Sequence, residues 1–256
     1  MNALVPALFV GHGSPMNAIE NNAFYRSWQE QGTALSKPRA ILCISAHWQT
    51  MGIAVTASEW PETIHDFYGF PKSLFDVQYP APGSPELAQQ IVDLLHPQFM
   101  QLDTERGLDH GAWSVLQAMY PAADIPVLQL SLDRTLNAPS HYELAKKLRP
   151  LREQGILIVG SGNIVQNQGV FDFDETWAYD WTSAFDQTVV DHIVQKNHAA
   201  LCDYSKFGQM AALSIPTAEH YLPLLYVLAQ QQDGDSSRFF NEEVMSAISM
   251  RCLQIG

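Results

Sequence analysis

Two histidines follow apolar runs that have the length of β-strands. His12 follows the run 8–10 after one intervening residue, Gly11, and so lies between two glycines. His47 comes shortly after the run 40–45. A neutral imidazole can bind a divalent metal ion or transfer a proton near neutral pH. Because open α/β sheets bind ligands at the carboxyl ends of their strands, we expect both rings to lie at a ligand-binding edge.

The spacing of His12 and His47 favours a common site. They are separated by about 35 residues, which is the length of one strand–helix–strand unit. The intervening segment 21–31 carries aromatic residues at helical spacing. Metal sites commonly gather imidazoles from adjacent rigid elements, so a shared metal site is favoured over two unrelated loop histidines.

His110 and His65 are further candidates, in different settings. His110 lies in a glycine-flanked turn that precedes a predicted helix at 114–120. His65 belongs to the irregular, aromatic segment 52–82, and ordered loops of this kind often shape a pocket. Contact between His65 and a ligand is one interpretation. A structural pairing of His65 with Asp66 or with the backbone is the other.

A further candidate is His220, near the start of an apolar helix predicted at 224–229. Thr217 can cap this helix, which places Glu219 and His220 in its first turn. Adjacent helix residues point about 100° apart, so one of the two is expected to bind a metal ion. His220 is preferred, and Glu219 is the alternative, as the carboxylate of a two-histidine-one-carboxylate site. The remaining histidines are expected at the surface: His96, His141, His192 and His198.

Strands and helices alternate along the chain. The predicted strands are 8–10, 40–45, 126–132 and 155–160, and the predicted helices are 21–31, 84–95, 114–120, 140–151, 183–195 and 224–229. Two closing strands are predicted at 238–241 and 247–254, the second as a half-buried edge. This order predicts an α/β fold with three α/β/α layers around a mostly parallel central sheet, and a metal site at the carboxyl ends of its strands.

Composition limits the classes of partner. The chain has 256 residues without a linker-like segment, which predicts one domain over 1–256. Its formal net charge is −13, with 14 Lys and Arg against 27 Asp and Glu, which disfavours nucleic acids and anionic membranes as partners. The distant cysteines at 43, 202 and 252 favour neither a disulfide framework nor a cysteine zinc site, so we expect a reducing cytoplasm. No targeting segment is apparent, and a monomer and a small homo-oligomer both remain open.

Several histidine motifs occur in order along the chain. They are Gly-His-Gly-Ser-Pro at 11–15, Ser-Ala-His-Trp at 45–48, Thr-Ile-His-Asp-Phe-Tyr-Gly-Phe-Pro at 63–71, Leu-Asp-His-Gly-Ala-Trp at 108–113 and Glu-His-Tyr-Leu-Pro-Leu at 219–224. With them the sequence resembles the LigB-like (class III) extradiol ring-cleavage dioxygenases, in particular the DOPA 4,5-dioxygenase branch. The likeness runs from about residue 6 to 256. It implies one α/β domain, a divalent metal ion and opening of a catechol ring by O₂.

This resemblance implies roles for single residues. His12, His47 and His220 match the metal-ligand histidines of the family, and His110 matches a pocket histidine that assists proton transfer. His65, within its own motif, is a second candidate for catalytic acid–base work. One position departs from the family pattern, because Gln166 stands where the family has a histidine. An amide neither titrates near neutral pH nor binds metals well beside imidazole.

The chemistry that these residues allow leaves alternatives open. Three neutral imidazoles suit both Zn²⁺ and Fe²⁺. With a redox metal the partners would be a small aromatic catechol and O₂. With Zn²⁺ the same imidazoles would activate water in a hydrolase, although no His-Glu-x-x-His motif is present. A further alternative is a family member whose catalysis is weakened or lost because Gln166 replaces a histidine. A hydrolase with Ser14 as nucleophile ranks last, because the Gly-x-Ser-x-Gly elbow is absent.

Overall fold

The computed structural model describes residues 4–172 and 177–256, and within these ranges the chain alternates between strands and helices. The strands are β1 (Ala7–Gly11), β2 (Ala40–Ser45), β3 (Gln49–Thr50), β4 (Ile53–Thr56), β5 (Met100–Asp103), β6 (Val127–Gln129), β7 (Leu132–Asp133), β8 (Ile156–Gly162), β9 (Ser237–Phe240), β10 (Val244–Met245), β11 (Ile248–Ser249) and β12 (Cys252–Ile255). The α-helices are α1 (Ala23–Ala34), α2 (Lys72–Phe75), α3 (Pro85–Leu95), α4 (His110–Met119), α5 (Ala138–Lys146), α6 (Pro150–Glu153), α7 (Asp180–Val194), α8 (His198–Cys202), α9 (Gln209–Ser214) and α10 (Leu222–Leu228). Short 3₁₀ helices span Pro15–Ala18 and Tyr204–Phe207. None of the described helices is long and apolar enough to cross a lipid bilayer.

A six-stranded sheet forms the centre of the fold, in the order β6-β2-β8-β1-β12-β9. The pairs β6–β2, β2–β8 and β8–β1 are parallel, whereas β12 pairs antiparallel with β1 and with β9. Long apolar runs such as those of β2 and β8 are typical of parallel strands that are buried on both faces. The predicted α/β class with a mostly parallel central sheet is confirmed.

Helices cover both faces of this sheet. Successive side chains of a strand point to opposite faces, so Phe9 and Ile158 join one core, which includes apolar residues of α3, α5 and α10. Leu8 and Leu157 join a second core, which includes residues of α1 and α4. The fold therefore has the three α/β/α layers that the order of predicted elements indicates.

Strands β1, β2 and β8 end at the same level of the sheet. Gly11 lies opposite Gly162, and Ser45 lies opposite Ser161. The backbone N–H of His12 continues the ladder by donating to the carbonyl oxygen of Gly162 at 3.1 Å. The turns that follow β1 and β2, each of which carries a histidine, therefore leave the sheet at one edge.

The turn before α10 packs against the end of β8 so closely that the strand requires glycine there. A Cβ atom on Gly162 would lie 2.1 Å from the carbonyl oxygen of His220, and one on Gly160 would lie 2.4 Å from that of Pro223. The N–H of Asn163 donates to the same His220 carbonyl at 2.9 Å. These contacts fix His220 beside the strand ends.

Some predicted elements differ from the structure. The segment 52–82, predicted as irregular, contains β4, which pairs with β5 in a separate two-stranded sheet. The predicted strand 126–132 is divided into β6 and β7, and β7 pairs with β3. The predicted strand 247–254 is divided into β11 and β12. Its description as an edge is wrong, because β12 lies between β1 and β9. The short apolar runs could not reveal which neighbour each strand would pair with.

Candidate functional site

His12 is buried at the tip of β1, and its contact with Ser161 determines its tautomer. The Ser161 hydroxyl donates its only proton to the carbonyl oxygen of Gly111 at 2.5 Å, and its oxygen lies 3.0 Å from His12 Nδ1. The hydroxyl must therefore accept a hydrogen bond from Nδ1–H. This tautomer leaves the lone pair of His12 Nε2 free to bind a metal ion.

His47 is positioned by a buried polar network behind the sheet edge. Its N–H donates to Ser45 Oγ at 3.2 Å, and the Ser45 hydroxyl donates to Asp109 Oδ1 at 2.7 Å. The Asp109 carboxylate also accepts from the side chains of Gln129 at 2.8 Å and Arg106 at 3.3 Å. Asp109 is fully buried, so these hydrogen bonds offset the cost of removing its charge from water. The network fixes the turn that carries His47.

His220 lies in the turn before α10, with Glu219 beside it. Glu219 Oε1 is 3.3 Å from His220 Nδ1 and accepts a hydrogen bond from Thr217 Oγ1 at 2.7 Å. An ionised carboxylate can only accept, so His220 Nδ1 carries the ring proton. His220 Nε2 is buried and has no hydrogen-bond partner among the described residues. Glu219 therefore acts as the partner of a ligand histidine, which supports His220 over Glu219 as the metal ligand.

The three rings bring one nitrogen each together at the centre of the cluster. His12 Nε2 lies 3.2 Å from His47 Nε2, and one nitrogen from each of His12, His47 and His220 lies within 4.8 Å of the others. Two ring nitrogens at this distance repel each other unless a proton or a cation lies between them. A divalent cation would satisfy these lone pairs together with the orphaned Nε2 of His220. The donor set therefore fits a three-histidine metal site.

His110, at the N-terminus of α4, forms a hydrogen-bonded pair with Asp66. Asp66 Oδ1 lies 2.8 Å from His110 Nδ1 and accepts from the His110 N–H at 3.0 Å. The carboxylate places the ring proton on Nδ1 and leaves the lone pair on Nε2. The ring centroids of His110 and His47 are 3.9 Å apart. His110 therefore lies directly beside the metal-ligand cluster.

A second group of residues also has ligand atoms within 4.8 Å of one another. It consists of His47, Asp66 and His110. In this group the Asp66 carboxylate is already bonded to His110, and the Nε2 of His47 faces His12. The geometry therefore favours the three-histidine set for a metal ion and leaves Asp66 and His110 as a hydrogen-bonded pair beside it.

The histidine cluster lines a cavity of about 530 Å³. Such a volume accommodates a substituted aromatic ring. The lining residues are His12, Gly13, Ser14, Pro15, His47, Asp66, Phe67, Tyr68, Phe70, His110, Gln166, Gln168, Phe171 and Ile248. The rings of Phe67 and His110 meet edge to face, with centroids 5.5 Å apart. One wall of the cavity is thus formed by the aromatic loop that carries Asp66.

His65 is not brought into the cluster. Its Nε2 donates to the carbonyl oxygen of Val77 at 3.0 Å, and its ring packs against Phe67 and Trp113 with centroids 5.8 and 5.7 Å apart. His65 is not among the residues that line the cavity. Its contacts anchor the loop that carries Asp66, which favours the structural interpretation of His65 over a catalytic one.

Burial keeps His12 and His47 in their neutral form by lowering their pKa values. Burial, followed by the charge that His47, His220 and His110 would carry, holds the pKa of His12 well below its usual value. Burial and then the charges of His110 and His220 lower the pKa of His47 in the same way. Burial alone would raise the pKa of Asp66, but the hydrogen bonds from His110 hold that pKa at about 2. The site therefore offers neutral imidazoles and an ionised carboxylate at neutral pH.

The site also depends on residues that were not predicted to belong to it. Asp109 supports both His47 and α4, because its Oδ1 also caps that helix through the N–H of Ala112 at 3.2 Å. This role was not predicted, because the helix was predicted to begin at residue 114, whereas it begins at His110 with Asp109 as its N-cap. Ser161 ends a buried strand and gave no signal. Asp66 was considered as a partner of His65, whereas it pairs with His110.

Two histidines predicted at the surface are buried, so that prediction is wrong for them. His141 is fully buried, with Nδ1 2.9 Å from the Tyr226 hydroxyl oxygen and Nε2 3.2 Å from the carbonyl oxygen of Asp133. His198 is also buried, and its Nδ1 lies 2.9 Å from the Tyr142 hydroxyl oxygen. Their partners come from distant parts of the chain, which a local pattern cannot reveal.

Gln166 lines the same cavity as the histidine cluster. Its backbone N–H donates to the carbonyl oxygen of Ser214 at 3.1 Å, which holds the main chain in place. Its side-chain Oε1 is buried and has no hydrogen-bond partner among the described residues. Gln166 therefore presents an unpaired amide oxygen next to the cluster.

Comparison with known proteins identifies relatives over nearly the whole chain. A family profile described as the catalytic LigB subunit of aromatic ring-opening dioxygenase matches residues 5–248. A protein of Escherichia coli K12 named 4,5-DOPA dioxygenase extradiol is 46% identical, over 98% of this chain and 95% of the relative. A protein of Beta vulgaris with the same name is 40% identical, over 84% of this chain and 83% of the relative.

The structural comparison agrees. The crystal structure of an uncharacterized protein from Escherichia coli K12 superposes with a TM-score of 0.85 and 42% identity, covering 98% of this chain and 100% of that one. The identity of 42% is well above the level at which two proteins share only their fold. The resemblance that the histidine motifs indicate is confirmed.

We expect the protein to bind one Zn²⁺ or Fe²⁺ ion per chain through the three histidines. His12→Ala, His47→Ala and His220→Ala should each lose most of the bound metal. Ser161→Ala removes the acceptor that fixes the His12 tautomer and should weaken metal affinity by roughly 10- to 100-fold. Mass spectrometry of the metal content after anaerobic purification, with chelator competition for affinity, measures both effects. His65→Ala is the control that should retain the metal, and near wild-type content in the three ligand variants would contradict the assignment.

The metal-free protein should lose stability as the pH falls from about 7 to 5. Histidines of the unfolded chain bind protons near pH 6.5, whereas the lowered pKa values of His12 and His47 keep these rings neutral in the folded state. The unfolded state therefore binds more protons, and each ring lowers the free energy of unfolding by at most about 1.4 kcal/mol per pH unit. Urea denaturation with a chelator measures this slope. The double variant His12→Gln/His47→Gln should show a shallower slope, and an unchanged one would refute the explanation.

Proposed function

The chain belongs to the LigB family of aromatic ring-opening dioxygenases and is an enzyme of that class, and we propose that it opens the ring of DOPA-like catechols with O₂ at an extradiol position. The reaction would use one divalent metal ion, held by His12, His47 and His220. The observation that carries this proposal is that ring nitrogens of His12, His47 and His220 lie within 4.8 Å of one another beside an aromatic-lined cavity. The relatives named above supply the substrate class.

The metal ion proposed for this site is Fe²⁺. Reaction of O₂ with an aromatic ring requires redox chemistry that no side chain of the protein provides, and Fe²⁺ supplies it when bound. Zn²⁺ suits the same ligands but has no redox chemistry. The three imidazoles bind the ion, and the turns at the strand ends keep their positions fixed.

His110 is the residue proposed to move protons. Its Nε2 has a free lone pair and can accept the proton of a catechol hydroxyl, since Asp66 holds the other ring proton on Nδ1. Asp66 stays ionised at neutral pH, because its pKa is about 2, and it stabilises the imidazolium that forms. The same His110 Nε2–H can then return the proton to the ring-opened product. A positioned acid–base group of this kind contributes roughly 10²- to 10⁴-fold in rate.

The aromatic wall of the cavity is proposed to orient the substrate ring. Phe67, Tyr68 and Phe70 lie on one loop and line the cavity together. Aromatic side chains bind another ring through stacked or edge-to-face contacts and leave little room for water around it. Tyr68 is 92% exposed, so it marks the side from which the substrate enters.

Oxygen uptake with a catechol tests the proposal. The Fe²⁺-loaded protein should consume O₂ with DOPA and form a yellow ring-opened semialdehyde, followed with an oxygen electrode and by absorbance. His110→Ala should lose at least ~10² in kcat while it keeps its metal and its fold. His96→Ala, which removes an exposed histidine outside the cavity, should keep most of kcat. Absence of O₂ uptake with every catechol, together with ester hydrolysis by the Zn²⁺ form, would show a hydrolase instead.

Gln166 bears on the rate of this reaction. It lines the cavity where the resemblance places a histidine, and its unpaired Oε1 can accept a hydrogen bond from a substrate hydroxyl. An amide holds such a hydroxyl but cannot take up its proton near neutral pH. We therefore propose that Gln166 contributes to substrate binding and leaves proton transfer to His110, which makes turnover slow.

Gln166→His should raise kcat with catechols by roughly 10-fold and add a pH dependence near 6.5, because the new imidazole titrates. KM should change little. Steady-state kinetics across pH 5.5 to 8 with the iron-loaded protein measure both. Gln168→His is the matched control, because Gln168 lines the same cavity, and it should leave kcat unchanged. An unchanged or lower kcat in Gln166→His, together with rapid wild-type turnover, would show that the amide merely lines the cavity.

A further inference from the structure

A second cavity adjoins the one that contains the histidines. It has a volume of about 410 Å³. The two cavities share the lining residues Gly13, Ser14, Phe70, Phe171 and Ile248. A substituent on an aromatic ring in the first cavity can therefore extend into the second.

The second cavity is apolar, with a carboxylate at its solvent side. Apart from the shared residues, its apolar lining comes from methionine and phenylalanine side chains, which adapt to the shape of a bound chain: Met16, Phe24, Met245 and Met250. Glu20 also lines it and is exposed. The amide nitrogen of Asn22 lies 3.4 Å from Glu20 Oε2 and donates to Asn17 Oδ1 at 2.7 Å. Glu20 is thus lightly held and can turn toward a ligand.

No lysine or arginine lines either cavity among the described residues. The cations that flank the lining segments are paired with carboxylates: Lys72 with Asp76, Arg106 with Asp109, and Arg251 with Asp186 and Glu242. Arg26, on α1, donates to the backbone and side-chain oxygens of Asn21 and does not line the cavity. An anionic group in the second cavity would therefore lose water without gaining a cationic partner, and it would lie near Glu20.

We propose that the second cavity is a subsite for the substituent of the catechol ring, and that it selects an apolar chain that ends in a cationic group over one that ends in a carboxylate. Glu20 is the specificity-determining residue, since it is the carboxylate that lines this subsite. This inference rests on the proposed function, because it places the catechol ring beside the histidine cluster. Among DOPA-like catechols, the preferred substrates are thereby narrowed to those whose substituent carries an ammonium group.

Binding of matched catechols to the Zn²⁺-loaded protein tests the subsite without turnover. The probes are 4-ethylcatechol, 4-(2-aminoethyl)catechol and 3-(3,4-dihydroxyphenyl)propionate, measured by titration calorimetry. Attraction to Glu20 should favour the amine and repulsion should disfavour the carboxylate, each by about three- to fivefold, so the two Kd values should differ by roughly 10-fold. In neutral 4-alkylcatechols, each added methylene up to propyl should tighten binding by about three- to fourfold. Equal affinities for amine and carboxylate, or no gain with chain length, would overturn the proposal.

Variants of Glu20 separate its charge from the shape of the cavity. Glu20→Gln should weaken binding of the amine by about three- to fivefold and leave 4-ethylcatechol unchanged. Glu20→Lys should invert the preference between amine and carboxylate. Glu30→Gln removes a carboxylate from the exposed side of α1, outside the lining, and should change none of the three affinities. Persistence of the wild-type order in Glu20→Lys would refute the role of Glu20.

The same probes distinguish failure of this inference from failure of the proposed function. If the Zn²⁺ form binds them in the expected order but the Fe²⁺ form consumes no O₂ with any of them, the subsite stands and the dioxygenase proposal fails. If the Fe²⁺ form consumes O₂ with amine and carboxylate at equal kcat/KM, the dioxygenase proposal stands and the subsite is wrong.

Discussion

The fold must keep the ring nitrogens of three histidines, two of them buried and one half-buried, within a few ångströms of one another. The rest of the site follows from that constraint. Lone pairs at this distance repel, and burial removes the water that would otherwise hydrate them. Hydrogen bonds at the opposite ring nitrogens, Nδ1 of His12 and of His220, offset this cost. Ser161 and Glu219 each hold a proton on Nδ1 of a ligand histidine, which turns Nε2 toward the centre. The cluster is thereby preorganised for a cation.

The central sheet supplies the rigidity that such a cluster needs. His12 and His47 follow the carboxyl ends of β1 and β2. These ends lie close together because both strands pair with β8. The third ligand comes from a helix whose start is pressed against the glycines of β8. The aromatic loop joins this frame through His65 and Trp113, and the Trp113 indole donates to the carbonyl oxygen of Ile64 at 2.8 Å. The site is thus built from two parts, a stiff sheet edge that holds the histidine cluster and an aromatic loop that forms one wall of the cavity.

The sequence allowed the central sheet and the meeting of His12, His47 and His220 to be predicted, but not the hydrogen bonds that hold these histidines in place. An apolar run of strand length that is followed by Gly-His-Gly or Ser-Ala-His places its histidine at the carboxyl end of a strand. This local pattern does not depend on the pairing of distant segments. The support depends on pairings between distant segments. Asp109 with Gln129, Ser161 with Gly111 and Asp66 with His110 each join two such segments. The same reason explains the failed surface prediction for His141, whose partner Tyr226 lies on α10.

The position of β12 between β1 and β9 has a consequence for the order of folding. Strand β1 cannot complete its pairing until β12, which lies far from it in the sequence, is in place, and closing so long a loop costs entropy. The turn that carries His220 also lies far along the chain from His12 and His47. The three imidazoles therefore meet only after distant segments have paired, so formation of the cluster is tied to completion of the sheet.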